Sequence, residues 1–146
     1  MLRVFSDFDG TIAVEDVGSQ LFRKFAGPRA VEIVAKYLDG TITARDCLTQ
    51  ECQAVENATV GELEQFVNQF SLDPTFGSFV EFCRHRSIPV VVLSDGLDFY
   101  VDRLLQKNGL GDLPFFSNHL ELIQQGPVTK LVPSFPFTDA ECILCG

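Results

Sequence analysis

An apolar run near the start of the chain ends on two aspartates separated by one residue, in the stretch VFSDFDGTI. A short run of this kind predicts a strand that is buried on both faces, as in parallel sheets. Residues two positions apart in an extended segment point the same way, so Asp7 and Asp9 are expected to converge on one ligand. Gly10 then allows the backbone to turn tightly. The sequence therefore predicts a buried strand with two acids at its end.

A second apolar run, IPVVVLSDG, is the strongest strand pattern in the chain, and it also ends in small polar residues and a glycine. Two buried strands that are each followed by a helix pattern predict an α/β fold with a parallel sheet. In such sheets ligands bind beyond the carboxyl ends of the strands. Asp7, Asp9, Ser94 and Asp95 all fall at those ends, so we expect one shared site there.

The stretch between the two strands carries several consecutive amphipathic helix patterns. A minimal crossover between parallel strands needs only about a dozen residues, so this stretch reads as an insertion. We therefore predict a core formed by residues 1–14 and 72–146, with a helical domain inserted at residues 15–71. Asp73 and Pro74 predict the first residues of the helix that returns to the core.

Charge and hydropathy exclude several kinds of partner. Lys and Arg number 11 against 20 Asp and Glu, a net charge of −9, which repels nucleic acid and anionic membranes. No apolar run approaches the roughly 20 residues of a bilayer span, and acids interrupt the N-terminus before a signal peptide can form. We expect a cytoplasmic protein without nucleic-acid or membrane partners. An anionic substrate then needs a local positive site.

The spacing of the two acids indicates a metal and a phosphoryl group. Two carboxylates this close repel each other unless a cation or a shared proton intervenes, and Mg²⁺ prefers carboxylate and carbonyl oxygens. Thr11 and the amides that follow it can donate hydrogen bonds to an anion. Together these groups suggest phosphoryl transfer through an aspartyl-phosphate. The alternative is that DFDGT is only a polar turn after a strand.

The same residues resemble the motifs of the haloacid dehalogenase superfamily. DFDGTI is similar to its first motif, D-x-D-G-T, VVVLSDG is similar to its second motif, and the helical insertion resembles a C1-type cap on a Rossmann-like parallel sheet. The resemblance implies that Asp7 is the nucleophile and a metal ligand. It implies that Asp9 is the general acid and base, with its carbonyl on Mg²⁺, and that Ser94 holds the phosphoryl group.

A closer resemblance is to the methionine-salvage and phosphoserine phosphatases within that superfamily, through SDGLDFYVDRLL, SNHLEL and a cysteine-rich tail. It implies an Mg²⁺-dependent phosphomonoesterase that acts on a small phosphorylated metabolite. Gly10, Thr11, Asp95 and Gly96 are expected to contact phosphate or substrate, although Asp95 stands where those relatives often have glycine. Asp16 matches a substrate-binding acid of phosphoserine phosphatases, or it simply caps the first helix.

Two parts of the family's site are not visible in this sequence. The lysine that neutralises the phosphate and the acidic pair that completes the Mg²⁺ site are expected beyond Gly146. The core sheet is therefore expected to be incomplete, with the first strand as an apolar edge. The alternatives are a phosphoserine phosphatase-like enzyme or a catalytically inactive module that binds phosphate or protein. A homodimer is left open.

The remaining metal-binding residue types carry weaker signals. Cys47, Cys52 and Cys83 lie in helix patterns and are expected to be buried thiols. Cys142 and Cys145 form a single C-x-x-C, which is compatible with half of a zinc site or with a redox pair.

The two histidines are read as structural, and the basic residues of the cap are read either as contacts for an anionic substrate or as exposed charges without a specific role. His85 is expected to be a solvated cation at a helix end and His119 to sit in a strand without binding a ligand. Arg23, Lys24 and Arg45 lie in the predicted cap, where they can meet an anionic substrate.

Overall fold

The computed structural model describes residues 2–139 and shows an α/β fold built on one sheet. Its helices and strands follow in the order β1 (Val4–Asp7), α1 (Val17–Phe25), α2 (Pro28–Leu38), α3 (Ala44–Ala54), α4 (Val60–Val67), α5 (Phe76–His85), β2 (Val90–Leu97), α6 (Asp98–Lys107), β3 (Phe115–Gln125) and β4 (Val128–Ser134).

The sheet has the strand order β1-β2-β3-β4, and its first three strands are parallel. The register places Asp7 beside Leu93, so the carboxyl ends of β1 and β2 meet at one edge. β3 and β4 form an antiparallel hairpin that turns at Gly126, where the backbone has φ +60°. The predicted parallel α/β sheet is confirmed.

Helices α1 to α4 occupy the predicted insertion, and two of them begin with capping boxes. Thr43 and Asp46 exchange side-chain and backbone hydrogen bonds at the start of α3, and Thr59 and Glu62 do the same at the start of α4. α3 also packs against β4, and the Thr129 N–H donates to the Ala58 carbonyl at 2.8 Å. These helices therefore contact the end of the sheet as well as one another. The division of the chain into core and cap stays our prediction.

The predicted start of α5 is wrong by two residues, since the helix begins at Phe76. The Asp73 carboxylate accepts the Thr75 N–H at 2.8 Å, and the Asp73 carbonyl accepts the Phe76 N–H at 3.1 Å. Asp73 and Pro74 therefore form a turn before the helix, because the aspartate satisfies a donor inside that turn.

The prediction that β1 is buried on both faces is also wrong. Its residues alternate between half-buried and exposed, and 57% of Phe5 is exposed. On the same face of the sheet, Leu93 and Phe116 are 42% and 46% exposed. This face extends from β1 across β2 to β3, and residues 2–139 leave it only partly covered; β1 is in addition the edge strand of the sheet. By contrast, Val90–Val92 in β2 are buried, as the pattern predicted.

The cysteines of residues 2–139 are buried thiols, and His119 contacts an aspartate. Cys47, Cys52 and Cys83 are buried and free, as predicted, whereas Cys142 and Cys145 lie outside the described residues. His119 Nδ1 lies 2.5 Å from Asp98 Oδ2 at the start of α6, which supports a structural role.

His85 lies in the last turn of α5 and is exposed, as expected. Residues 2–139 include no helix long and apolar enough to span a bilayer.

Candidate active site

A five-residue loop follows Asp7 and turns the chain from β1 toward α1. The Ala13 N–H donates to the Phe8 carbonyl at 2.9 Å across this loop, and Gly10 has φ +69°, which favours glycine. The Thr11 hydroxyl donates to Asp7 Oδ2 at 3.0 Å. Thr11 therefore fixes the Asp7 carboxylate, and its predicted contact with phosphate stays a prediction.

The Asp9 side chain is held by donors on both of its oxygens. Oδ1 accepts the N–H of Val17 at 2.8 Å and that of Gly18 at 3.4 Å, at the start of α1. Oδ2 accepts the Tyr100 hydroxyl at 2.9 Å. Burial raises the pKa of Asp9 to about 6, although these hydrogen bonds act in the opposite direction. The group can therefore gain and lose a proton near neutral pH.

Tyr100 is a buried side chain whose hydroxyl fits between two glycines. A Cβ atom on Gly96 would lie 1.7 Å from the Tyr100 hydroxyl oxygen, and one on Gly18 would lie 2.9 Å from it. Burial and the neighbouring Asp9 raise the pKa of Tyr100 well above its usual range, so the hydroxyl stays protonated and donates. Gly96 thus has a packing role in addition to its predicted contact with phosphate.

The end of β2 brings Ser94 and Asp95 to the same edge as Asp7. Ser94 Oγ accepts the Gly96 N–H at 3.0 Å, and the Asn118 side chain donates to the Asp95 carbonyl at 2.6 Å. Burial raises the pKa of Asp95, and the nearby charge of Asp7 raises it further. Carboxylates therefore crowd this edge of the sheet.

A cavity of about 920 Å³ joins the strand ends to the helices of the insertion. Of the predicted site residues, it is lined by Asp7, Asp9, Asp16, Ser94, Asp95 and Gly96. Gly10 and Thr11 belong to the loop after β1 and are not among the lining residues. The Asp16 carboxylate accepts the Ser19 N–H at 2.7 Å, so it caps α1 and also faces the cavity.

Helix α3 supplies a wall of the cavity that the motifs did not indicate. Glu51 is only 8% exposed, and its Oε2 lies 3.8 Å from the Cys47 thiol. Burial raises the pKa of Glu51 to about 7. The available signal was an acid on the apolar face of a helix pattern, four residues after Cys47.

Among the three cap cations considered from the sequence, Arg45 lines the cavity, while Arg23 and Lys24 are exposed and do not. The Arg45 guanidinium lies 5.4 Å from the centre of the Phe135 ring, which also lines the cavity. Arg45 is thus the one Lys or Arg among the lining residues, which also include five acids.

The oxygens at the strand ends fit a hard dication. The Asp7 carboxylate and the Asp9 carbonyl are the candidate ligands, and Asp95 adds negative charge beside them. Residues 2–139 contain no cluster of three or more metal-ligating side chains. One carboxylate and one carbonyl oxygen are a donor set that suits Mg²⁺, because this ion keeps several waters and takes only one or two carboxylates from a protein.

Comparison with known proteins places these features in a family. A model described as haloacid dehalogenase-like hydrolase matches residues 4–126. The chain is 30% identical over 118 residues to the 2-hydroxy-3-keto-5-methylthiopentenyl-1-phosphate phosphatase of Brevibacillus brevis, covering 80% of this chain and 53% of the relative. It is also 30% identical over 131 residues to Pdp3-interacting factor 1 of Schizosaccharomyces pombe, covering 86% and 57%. The chain thus spans about half the length of these relatives.

Solved structures share the fold. A HAD family hydrolase of Salmonella enterica serovar Typhi matches with a TM-score of 0.76 at 19% identity, covering 92% of this chain and 45% of that one. A phosphoserine phosphatase of T. onnurineus matches with a TM-score of 0.72 at 19% identity, covering 95% and 66%. At these identities the likeness concerns the fold alone.

Proposed function

The chain belongs to the haloacid dehalogenase-like hydrolase family, and on that premise we propose that it is an Mg²⁺-dependent phosphatase of a small phosphorylated metabolite. The observation that carries this proposal is the pairing of two different aspartates at one strand end. Asp7 is exposed at the cavity and held by Thr11, whereas Asp9 is half-buried and its pKa is raised to about 6. Two carboxyl groups in such different surroundings are suited to different roles, one as nucleophile and the other as proton donor.

In the first proposed step, an Asp7 carboxylate oxygen attacks the phosphorus of the ester. The new oxygen–phosphorus bond forms as the ester bond breaks, and the Asp9 proton passes to the departing oxygen. A pKa of about 6 leaves the acid form of Asp9 available at neutral pH. The product alcohol leaves, and phosphorus is then bound to Asp7.

In the second proposed step, water attacks the aspartyl-phosphate and Asp9, now a carboxylate, accepts its proton. The bond between phosphorus and Asp7 breaks, phosphate is released, and Asp9 is again an acid. We assign Ser94 to hold the phosphoryl oxygens from the end of β2. Mg²⁺, held by the Asp7 carboxylate and the Asp9 carbonyl, would neutralise charge on the phosphoryl group when bound.

The cavity supports a metabolite-sized substrate, because a volume of about 920 Å³ falls within the range of small-ligand sites. Its apolar lining includes Phe22, Val34 and Leu48. That lining suits an apolar group such as the methylthio end of 2-hydroxy-3-keto-5-methylthiopentenyl-1-phosphate, which is the substrate in the name of the Brevibacillus relative. We propose this ester as the first candidate substrate.

Phosphoserine is the second candidate. Arg45 and Glu51 lie on one helix and both line the cavity, which supports a substrate whose far end carries both charges. A comparison of the two esters as substrates decides between these candidates.

A binding module without catalysis is the alternative from a different class. The name of the Schizosaccharomyces relative refers to an interaction with another protein. In that case Asp7 and Asp9 would bind phosphate or a partner without turnover. A cytoplasmic location, the expected lack of nucleic-acid and membrane partners, and the open question of a homodimer all stay predictions.

The test is hydrolysis of p-nitrophenyl phosphate by the intact natural protein, with Mg²⁺ and with EDTA. We expect turnover that requires Mg²⁺, followed by selective hydrolysis of one of the two candidate esters. Absence of turnover under all these conditions would leave the binding module.

A further inference from the structure

We propose that Tyr100 is a positioning residue that holds the proton-bearing oxygen of Asp9 in place for the reaction. This inference rests on the proposed function and adds a residue to it. Tyr100 lies on α6, within the stretch SDGLDFYVDRLL. The structure places its hydroxyl 2.9 Å from Asp9 Oδ2, across 91 positions of the chain.

The two oxygens of the Asp9 carboxyl group have different kinds of hydrogen-bond partner. Oδ1 faces the backbone N–H groups of Val17 and Gly18, which can only donate. Oδ2 is bonded to the Tyr100 hydroxyl, and a hydroxyl can both donate and accept. Oδ2 can therefore carry a proton and keep this hydrogen bond. The proton that leaves with the substrate is therefore best carried by Oδ2. Tyr100 fixes the position of that atom.

The packing around Tyr100 leaves its hydroxyl little freedom to move. The side chain is 2% exposed, and its ring lies 6.1 Å from that of Phe8, centre to centre. Gly18 and Gly96 flank the hydroxyl so closely that an added Cβ would meet it at either position. The Tyr100 hydroxyl therefore has a fixed position. Because it bonds Oδ2 while backbone N–H groups bond Oδ1, the orientation of the Asp9 carboxyl group is fixed as well.

A purely structural explanation is that a buried hydroxyl simply needs a partner. The two explanations differ in which substrates suffer when the hydroxyl is removed. An alkyl leaving group needs the Asp9 proton, whereas p-nitrophenolate leaves readily without one. Loss of positioning should therefore harm an alkyl ester selectively, and loss of structure should harm both esters equally.

The experiment measures kcat/KM of Tyr100→Phe for β-glycerophosphate and p-nitrophenyl phosphate in Mg²⁺, using the intact protein. Because general acid catalysis contributes roughly 100-fold or more, we expect about a tenfold or greater loss with the alkyl ester and less than about threefold with the aryl ester. Equal losses, or no loss, would overturn the proposal. Thr129→Val removes a buried hydroxyl that does not line the cavity and is the matched control, with both esters unchanged.

A second variant and a combined variant make the test independent of Tyr100→Phe folding. Gly18→Ala keeps the tyrosine but displaces its hydroxyl, so a smaller loss with the same preference for the alkyl ester is expected. With Asp9→Asn already present, adding Tyr100→Phe should cost less than about twofold, because residues that act through one group are not additive. Additive losses would overturn the proposal. Failure of the wild-type protein to hydrolyse either ester would overturn the proposed function and this proposal with it.

Discussion

The backbone N–H of Val17 donates to Asp9 Oδ1 at 2.8 Å, which ties the first residue of the first inserted helix to the proposed proton donor. Asp16, immediately before it, caps the same helix and faces the same cavity. The entrance to the helical insertion and the acid at the strand end are therefore one connected structure.

Replacement of the proposed nucleophile should abolish turnover without unfolding the protein. Asp7 lies at an exposed strand end, so Asp7→Asn removes the attacking charge with little change in packing. We expect at least about a 1,000-fold loss of kcat, as for other catalytic groups that act as a unit. The measurement is p-nitrophenyl phosphate hydrolysis with circular dichroism as the folding control. Near-normal turnover would remove Asp7 from its proposed role.

The pH profile should report the proton on Asp9. Its pKa is raised to about 6, so the acid form predominates below that pH and is lost above it. We expect kcat/KM for an alkyl phosphate to fall about tenfold per pH unit above about pH 6, with a weaker fall for p-nitrophenyl phosphate. The Asp9→Asn variant should have a low kcat/KM for the alkyl phosphate, and this value should not fall in the same way as the pH rises. A flat alkyl profile between pH 5 and 8 would contradict the assignment.

Glu51 should make stability depend on pH. Its pKa is raised from 4.5 to about 7 by burial, so the folded protein binds this proton more tightly than the unfolded chain. The resulting stabilisation is fully present below about pH 4.5 and is lost as the pH rises through about 7. Relative to the wild type, Glu51→Gln should therefore gain about 1–3 kcal/mol in free energy of unfolding between pH 5 and pH 8.

Urea unfolding at the two pH values measures this difference. Glu32, on α2, is exposed, and Glu32→Gln is the matched control, with the same difference from wild type at both pH values. A Glu51→Gln difference that is also independent of pH would show that Glu51 is charged in the folded protein.

Mg²⁺ should stabilise the folded protein by binding at Asp7. A ligand that binds only the native state raises the unfolding temperature according to its concentration and dissociation constant. We expect addition of Mg²⁺ to raise the thermal midpoint of the EDTA-treated wild type, and to raise that of Asp7→Asn much less. Equal rises in the two proteins would place the ion elsewhere.

Local features of the fold follow from the sequence because they depend on hydrogen bonds between near neighbours. The capping boxes at Thr43 and Thr59 and the turn at Gly126 all join residues that are close together in the sequence. Asp73 shows the limit of such signals, because the same side chain can cap a helix or close a turn before it. Here Asp73 closes the turn, and α5 starts two residues after the predicted position.

The sequence by itself determined that apolar strands end in acids, with helices inserted between them, because these features are written in periodicity and in neighbouring residues. Only the tertiary structure decided that one face of β1 is exposed, that Glu51 faces the cavity, and that Tyr100 reaches Asp9. These outcomes depend on which distant segments pack together. Burial, and the pKa shifts it causes, belong to that packing and not to any local pattern of residues.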